Sequence, residues 1–258
     1  MSDPRAQPRA RTRLEWGLVG AGLLGPASTA SVVVDVLSFT TTLSVAADRG
    51  AMVHPYAWDH RGAGGAERFA ASVDATLAVG RREARPGQVS LSPASVRAAS
   101  RLDRLVLPSP NGSTISAALA AAGCTVLGAG LRNRLAVAQA VSELLTADPA
   151  NSVALIPAGE RWPDGSLRPA VEDFWGAGGV VAALEDLGHA SVSEEARAAA
   201  TAYRLVEARV GEALAACSSG RELIDAGYAG DVAIAAELDS SRSVPRLVGG
   251  AFGGDETQ

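Results

Sequence analysis

The sequence predicts a layered α/β/α fold around a mostly parallel or mixed central sheet. Three observations carry that expectation. Short apolar runs, such as Val32–Val34 and Val153–Pro157, alternate along the chain with segments of helical periodicity. These runs are continuously apolar, as strands covered by helices on both faces require. Neither an internal repeat nor an interdomain linker breaks the alternation, so residues 14–258 are expected to form a single α/β domain.

A chain of 258 residues can bury a substantial core, and 47 % hydrophobic with 20 % charged residues is ordinary for a globular protein. The net charge of -5 argues against a nucleic-acid binder or a ligand of anionic membranes. Every basic side chain other than histidine is arginine, a residue suited to bidentate contacts with phosphate or sulfonate. Cys124 and Cys217 lie far apart without metal-ligand spacing and fit a reducing, cytoplasmic setting. Residues 1–13 are basic with no apolar core behind them, so they are expected to form a disordered tail, not a signal peptide. No apolar run approaches the roughly 20 residues of a membrane span.

Gly20, Gly22 and Gly25 then stand in G-x-G-x-x-G spacing. Distance argues against a dinucleotide loop. Only Pro26–Ser31 separate Gly25 from the valine run, whereas a βαβ crossover takes about 10–12 residues with its helix. Asp35 also comes too early for the acid expected about 20 residues on. The valine run ends in Asp35, and Ser38, Thr40, Thr41 and Thr42 lead into a helix closed by Gly50. AMVHPYAW reads as a strand, AERFAASV as a short helix and ATLAVG as a strand, followed by a polar loop to Pro93. PASVRAAS is helical and RLVLPS a strand, after which Asn111-Gly112 opens a helix that Gly123 closes. CTVLGAG is a strand, and the next helix places Leu135, Ala138, Val141 and Leu145 on one side. NSVALIPAG is a strand, and Pro169 sits at the first position of a helix. A long helix from Glu194 to about Cys217, the segment GRELIDAG, a mixed stretch near Asp231 and a last strand around Val244 complete the chain.

Polar groups collect at strand ends or helix starts in four places, where open α/β sheets bind ligands and free N–H groups favour anions. Asp35 with its hydroxyls is the first; its plain alternative is a helix cap. The second is Ser109 to Thr114, where Gly112 allows close backbone approach and the amides that follow form a phosphate cradle. Its alternative is an ordinary Asn-Gly turn. The third is Ala158 to Arg161, ahead of a tight turn at Trp162–Gly165. The fourth is Glu172-Asp173, acids that can equally complement a helix dipole. Together with Asp35 and Glu160 they supply the oxygen ligands that Mg²⁺ prefers. His54, His60 and His189 fall in unrelated places, with no zinc-ligand pairing. Neither a nucleophile elbow nor a Walker loop is present, and Leu37 stands where a haloacid-dehalogenase phosphatase has its second Asp.

Taken in order, VVVDVLSFTTTLSVAADRGA, SPNGST, GLRNRLAVA, PAGERWPDGSLRPAVEDFWGAGGVV and GRELIDAGYAGDV with VPRL resemble the 2-phosphosulfolactate phosphatase family. The likeness runs from about Trp16 to Leu247. It implies an α/β fold with a mixed sheet between helical layers. It also implies Mg²⁺-dependent hydrolysis of 2-phosphosulfolactate to sulfolactate and phosphate, a step toward coenzyme M. By position it assigns Asp35 to metal binding, Asn111 and Gly112 to a family Thr-Asn-Gly turn, Glu172-Asp173 to its Glu-Asp pair, and Gly220-Arg221 to a Gly-Arg able to clamp an anion. The chain departs from the family at Ser38 for Arg, Pro157 for Cys, Ser219 for His, and SLSP (91–93 with Ser90) for Gly-Asn-Ser-Pro. Retained acids with altered anion contacts point to a kept hydrolytic framework and a changed substrate.

The expected catalytic set is therefore Asp35, Glu160, Arg161, Glu172, Asp173 and Arg221, with Mg²⁺ on Asp35, Glu172 and Asp173. Ser38, Thr40, Thr41, Asn111, Gly112 and Ser113 are expected to bind substrate, a small anionic phosphate ester with or without a sulfonate. Nucleic acid and membrane are not expected partners, and a homo-oligomer stays open. Two alternatives stand beside this: a catalytically idle binder of small anions, and an NAD(P)-dependent oxidoreductase built on Gly20 to Gly25.

Overall fold

The valine run lies in the interior of a broad sheet. In the computed structural model, which describes residues 3–57 and 64–253, the strands are β1 (Thr12–Leu14), β2 (Ala30–Val34), β3 (Met52–Ala57), β4 (Thr76–Leu77), β5 (Arg104–Ser109), β6 (Thr125–Ala129), β7 (Val153–Pro157), β8 (Glu160–Arg161), β9 (Leu167–Arg168), β10 (Arg246–Val248) and β11 (Ala251–Gly253). The helices are α1 (Gly17–Leu24), α2 (Phe39–Asp48), α3 (Gly65–Ser72), α4 (Pro93–Ala98), α5 (Gly112–Ala121), α6 (Arg134–Ala147), α7 (Val171–Asp186), α8 (Glu194–Val206), α9 (Val210–Ala216), α10 (Ser218–Asp225) and α11 (Ala229–Ala235). Among the described residues nine strands form one mixed, mostly parallel sheet in the order β1-β7-β2-β6-β10-β11-β3-β5-β4, flanked by helices, and β8 with β9 forms a small separate hairpin.

Two parallel sets make up the sheet. β1, β7, β2 and β6 run together, as do β3, β5 and β4. The antiparallel hairpin of β10 and β11 joins them, pairing with β6 on one side and β3 on the other. Three successive antiparallel pairings reverse the direction, so the two sets run opposite ways. Every residue of β2 is buried, which accounts for its uninterrupted apolar run. Val32, Val34, Leu127 and Leu155 pack in one core with α6, α7 and α8. Val33, Val126 and Ile156 share a second core with Phe39 and Leu43 of α2, Ile115 and Leu119 of α5, and Val53 and Leu105 of the other set. Helices α2 and α5 thus pack against strands of both sets. That places the starts of both helices beside the carboxyl end of β2.

The structure revises several expectations. Residues 1–13 are not a free tail where they are described: Pro4–Ala6 form a 3-10 turn, and Thr12–Leu14 extend the sheet beside β7. Arg13 is buried and donates to the carbonyl of Ala27 and the hydroxyls of Ser28 and Ser152, at 2.6, 2.8 and 2.9 Å. Its charge serves the fold, and three residues are too few to show a strand by periodicity. Gly20 and Gly22 lie inside α1 and Gly25 at its end, not in a strand-to-helix turn, so the dinucleotide fingerprint lacks its geometry. Leu135 is 42 % exposed, because the buried stripe of α6 follows Arg134, Val137, Ala138, Val141 and Leu145. Pro169 precedes α7 by two residues, since Leu167–Arg168 pair in the small hairpin. The expected long helix breaks after Val206 into a 3-10 turn and α9, the stretch near Asp231 is α11, and the last strand is a hairpin in the middle of the sheet. His60 lies outside the described residues. No helix among the described residues is long and apolar enough to cross a membrane.

Helix α7 approaches α8 so closely that a Cβ on Gly178 would meet the backbone carbonyl of Ala199. Gly178→Ala is expected to destabilise the protein by about 1–3 kcal/mol, read as a lower midpoint of urea unfolding with an unchanged slope. An unaltered midpoint would show that the two helices can part freely.

Candidate active site

Asp35 follows β2 directly and is 7 % exposed. Its carboxylate accepts from two amides: Phe39 N to Oδ1 at 3.0 Å and Gly112 N to Oδ2 at 2.9 Å. These amides open α2 and α5, so a single carboxylate meets the starts of two helices and answers their unpaired donors. Only glycine fits at 112, where a Cβ would strike the Phe39 ring and lie 2.8 Å from Asp35 Oδ2. Thr40 closes the loop, since its Oγ1 donates to the Asp35 carbonyl at 2.8 Å and accepts from the Asp35 amide at 3.0 Å. Burial raises the Asp35 pKa, against the two amides and the Arg81 charge, which lower it.

The first turn of α7 delivers Glu172 and Asp173, which are 2 % and 3 % exposed. Asp173 accepts from Val36 N at 2.7 Å and Gly159 N at 2.8 Å, tying the loops after β2 and β7 together. Burial raises its pKa well above the ordinary range, with Asp35 and Glu172 adding to the rise. Glu172 accepts a weak contact from Cys217 Sγ at 3.6 Å. Burial first, and then Glu172, push that thiol up to about 12. Cys217 is a neutral neighbour, not a thiolate nucleophile.

Glu160 stands at the start of β8 and accepts from Asn111 Nδ2 at 3.1 Å. Burial, with the charges of Asp35 and Glu172, raises its pKa to about 7. Arg161 Nε donates to Asn111 Oδ1 at 3.3 Å, so the Asn111 amide is oriented from both sides. Glu160 borders two cavities. The larger, about 550 Å³, lies between the loop after β4 and helix α10, and the smaller, about 290 Å³, is bordered by Trp16, Asn111, Arg161 and Leu167.

A residue outside the expected set, Arg81, enters the larger cavity. Its Nε pairs with Asp231 Oδ2 at 2.9 Å, an Nη donates to Ser38 Oγ, and the guanidinium lies 5.8 Å from the Tyr228 ring centroid. Asp231, 1 % exposed, also accepts from Ser92 Oγ and Ala94 N. A buried carboxylate on α11 therefore holds the arginine of a distant loop against the loop of Asp35. The signal in the sequence was Gly80-Arg81 at the end of the strand ATLAVG, in the polar loop to which no role was assigned.

The other expected residues divide. Asn111, Gly112, Glu160, Glu172 and Asp173 gather around Asp35. Thr40, Thr41 and Ser113 give their hydroxyls to the backbone carbonyls of Asp35, Val36 and Leu107, and so brace the site. Arg221 is exposed; on α10 it is Ser219, Glu222 and Leu223 that line the cavity, because one position along a helix turns the side chain away. Of the expected Mg²⁺ triad, Asp35 and Asp173 each accept one amide on each oxygen, whereas the carboxylate of Glu172 has only the thiol contact. Among the described residues no group of three or more His, Cys, Asp or Glu side chains is arranged as a metal cage.

With metal removed by a chelator, the raised pKa of Glu160 has a thermodynamic consequence. Between the unfolded carboxylate value and about 7 the native state holds the extra proton, so stability falls as pH rises through that window and levels above it. Glu160→Gln is expected to remove this share of the slope of Tm against pH between about 4.3 and 7. An unchanged slope would place Glu160 among ordinary carboxylates.

Among curated proteins, none matches the chain. The family model described as 2-phosphosulpholactate phosphatase matches residues 25–250, a span that holds Asp35, Arg81, Asn111-Gly112, Glu160, Glu172-Asp173 and Asp231. The chain belongs to the 2-phosphosulpholactate phosphatase family.

Proposed function

We propose that the protein is a Mg²⁺-dependent phosphomonoester hydrolase whose substrate departs from 2-phosphosulfolactate. The observation that carries this reading is that the buried acids Asp35 and Glu172, with the Gly112 amide on Asp35, lie close enough to Glu160 and Arg81 to interact electrostatically, and that Glu160 and Arg81 line one cavity. Family membership supports the phosphatase class. Free Cys124 and Cys217, neither in a disulfide, are in keeping with action in the cytoplasm.

Asp35 and Glu172 would hold the Mg²⁺. The donor set fits a hard cation: it is all oxygen, and each acid raises the proton affinity of others in the group, a repulsion that a divalent ion relieves. Too few carboxylates for a closed cage suits a cation that keeps waters and takes up substrate phosphate. Bound Mg²⁺ would polarise a phosphoryl oxygen and offset its charge. Arg81, fixed by Asp231 and Ser38, stabilises the charge of the transferring phosphoryl group, and the Gly112 amide keeps Asp35 oriented. Glu160 faces the cavity as the group that exchanges a proton with the leaving oxygen, its side chain steered by Asn111. In the net reaction water adds across the phosphorus–oxygen ester bond, which breaks to give an alcohol and inorganic phosphate.

Asp35→Asn is expected to lower Mg²⁺-dependent phosphate release by roughly a hundredfold or more. It also misplaces one amide donor, costing about 1–3 kcal/mol of stability, so the folded fraction is checked by circular dichroism. Glu172→Gln, which leaves the Asp35 contacts intact, is the companion variant. Undiminished turnover in both would refute the reading. The departures from the family at Ser38, Pro157 and Ser219 favour a second reading, an idle binder of small anions. Stabilisation by phosphate without release from any ester would favour it.

A further inference from the structure

We infer that the larger cavity takes a phosphate monoester with a bulky, largely apolar organic group, its phosphate anchored by Arg81. This rests on the hydrolase reading above and names the substrate class of that site.

Size is the first argument. A cavity of about 550 Å³ falls well inside the roughly 300–1,000 Å³ that accommodates drug-sized molecules, and a three-carbon ester would leave much of it to water. The walls are the second. Besides charged residues they include Val79, Leu91, Pro108, Leu223 and Tyr228, surfaces that gain from covering carbon.

Charge is the third. A substrate with a second strong anion, such as a sulfonate, needs a second inward cation. Arg81 is taken by the phosphate, and Arg82, the other cation on the cavity, is exposed at its rim beside Glu83, with Glu222 also at the rim. Those rim carboxylates repel a distal anion and leave an uncharged group undisturbed. Ser219 borders the same cavity, 5 % exposed, and its Oγ has no hydrogen-bond partner among the described residues. A lone hydroxyl near the carboxylate of Glu222 suits a neutral polar substituent, not an ionised one.

The test separates binding from turnover. With Mg²⁺ present, calorimetry compares 1-naphthylmethylphosphonate with methylphosphonate, two non-hydrolysable ligands that differ only in the organic group. The naphthyl compound is expected to bind about tenfold or more tightly. Ala226→Asp, which puts a charge at an exposed position on the cavity wall, is expected to erase most of that preference, and Arg81→Gln to weaken both ligands about tenfold. Equal affinities, a preference untouched by Ala226→Asp, or affinities untouched by Arg81→Gln would overturn the assignment. Phosphate release from 1-naphthyl phosphate and 2-phosphosulfolactate is measured in parallel. Faster release from 2-phosphosulfolactate overturns the bulky substrate and leaves the hydrolase standing. Selective binding with release from neither ester overturns the hydrolase and leaves the cavity assignment standing.

Discussion

The carboxylate of Asp35 joins parts of the chain that have no other reason to meet. It sits at the end of the interior strand β2 and accepts one amide from the start of α2 and another from the start of α5. Each amide is an end group that a helix cannot satisfy internally. Burying the carboxylate costs solvation, and the paired amides with two helix dipoles offset that cost. Removing either helix start would leave a buried anion without its donors. Gly112 follows from the same constraint, since any side chain would fill the gap through which the amide reaches the acid.

Asp173 repeats the arrangement one strand over. It bridges Val36 N and Gly159 N, so the loops after β2 and β7 are tied by the first turn of α7. The two adjacent acids of α7 differ in their contacts: Asp173 accepts a backbone amide on each oxygen, as Asp35 does, whereas Glu172 has only a thiol contact at 3.6 Å. Burial first, and then the crowding of acids, raises the pKa of Glu160 to about 7. A site that strains its acids in this way is disposed toward cations and toward proton exchange with a bound group.

On the opposite side of the cavity, Asp231, Arg81 and Ser38 form a chain of buried polar contacts. The family resemblance placed an arginine where this chain has Ser38, and the guanidinium at this spot comes instead from a loop more than forty residues further along. The same positive charge reaches Asp35 from a different backbone origin.

By itself the sequence determined the alternating α/β architecture, the buried central strand and the acids worth following, because apolar period and strand-end position are local properties. Asp35, Asn111-Gly112 and Glu172-Asp173 were legible for that reason. The tertiary structure alone decided that the sheet reverses direction through its C-terminal hairpin, that Thr40, Thr41 and Ser113 serve the backbone, that Arg221 faces away, and that Arg81 enters the cavity. Those outcomes depend on which groups from distant segments compete for one partner. Asp231 lies 150 residues beyond Arg81, and no local pattern records that one will hold the other.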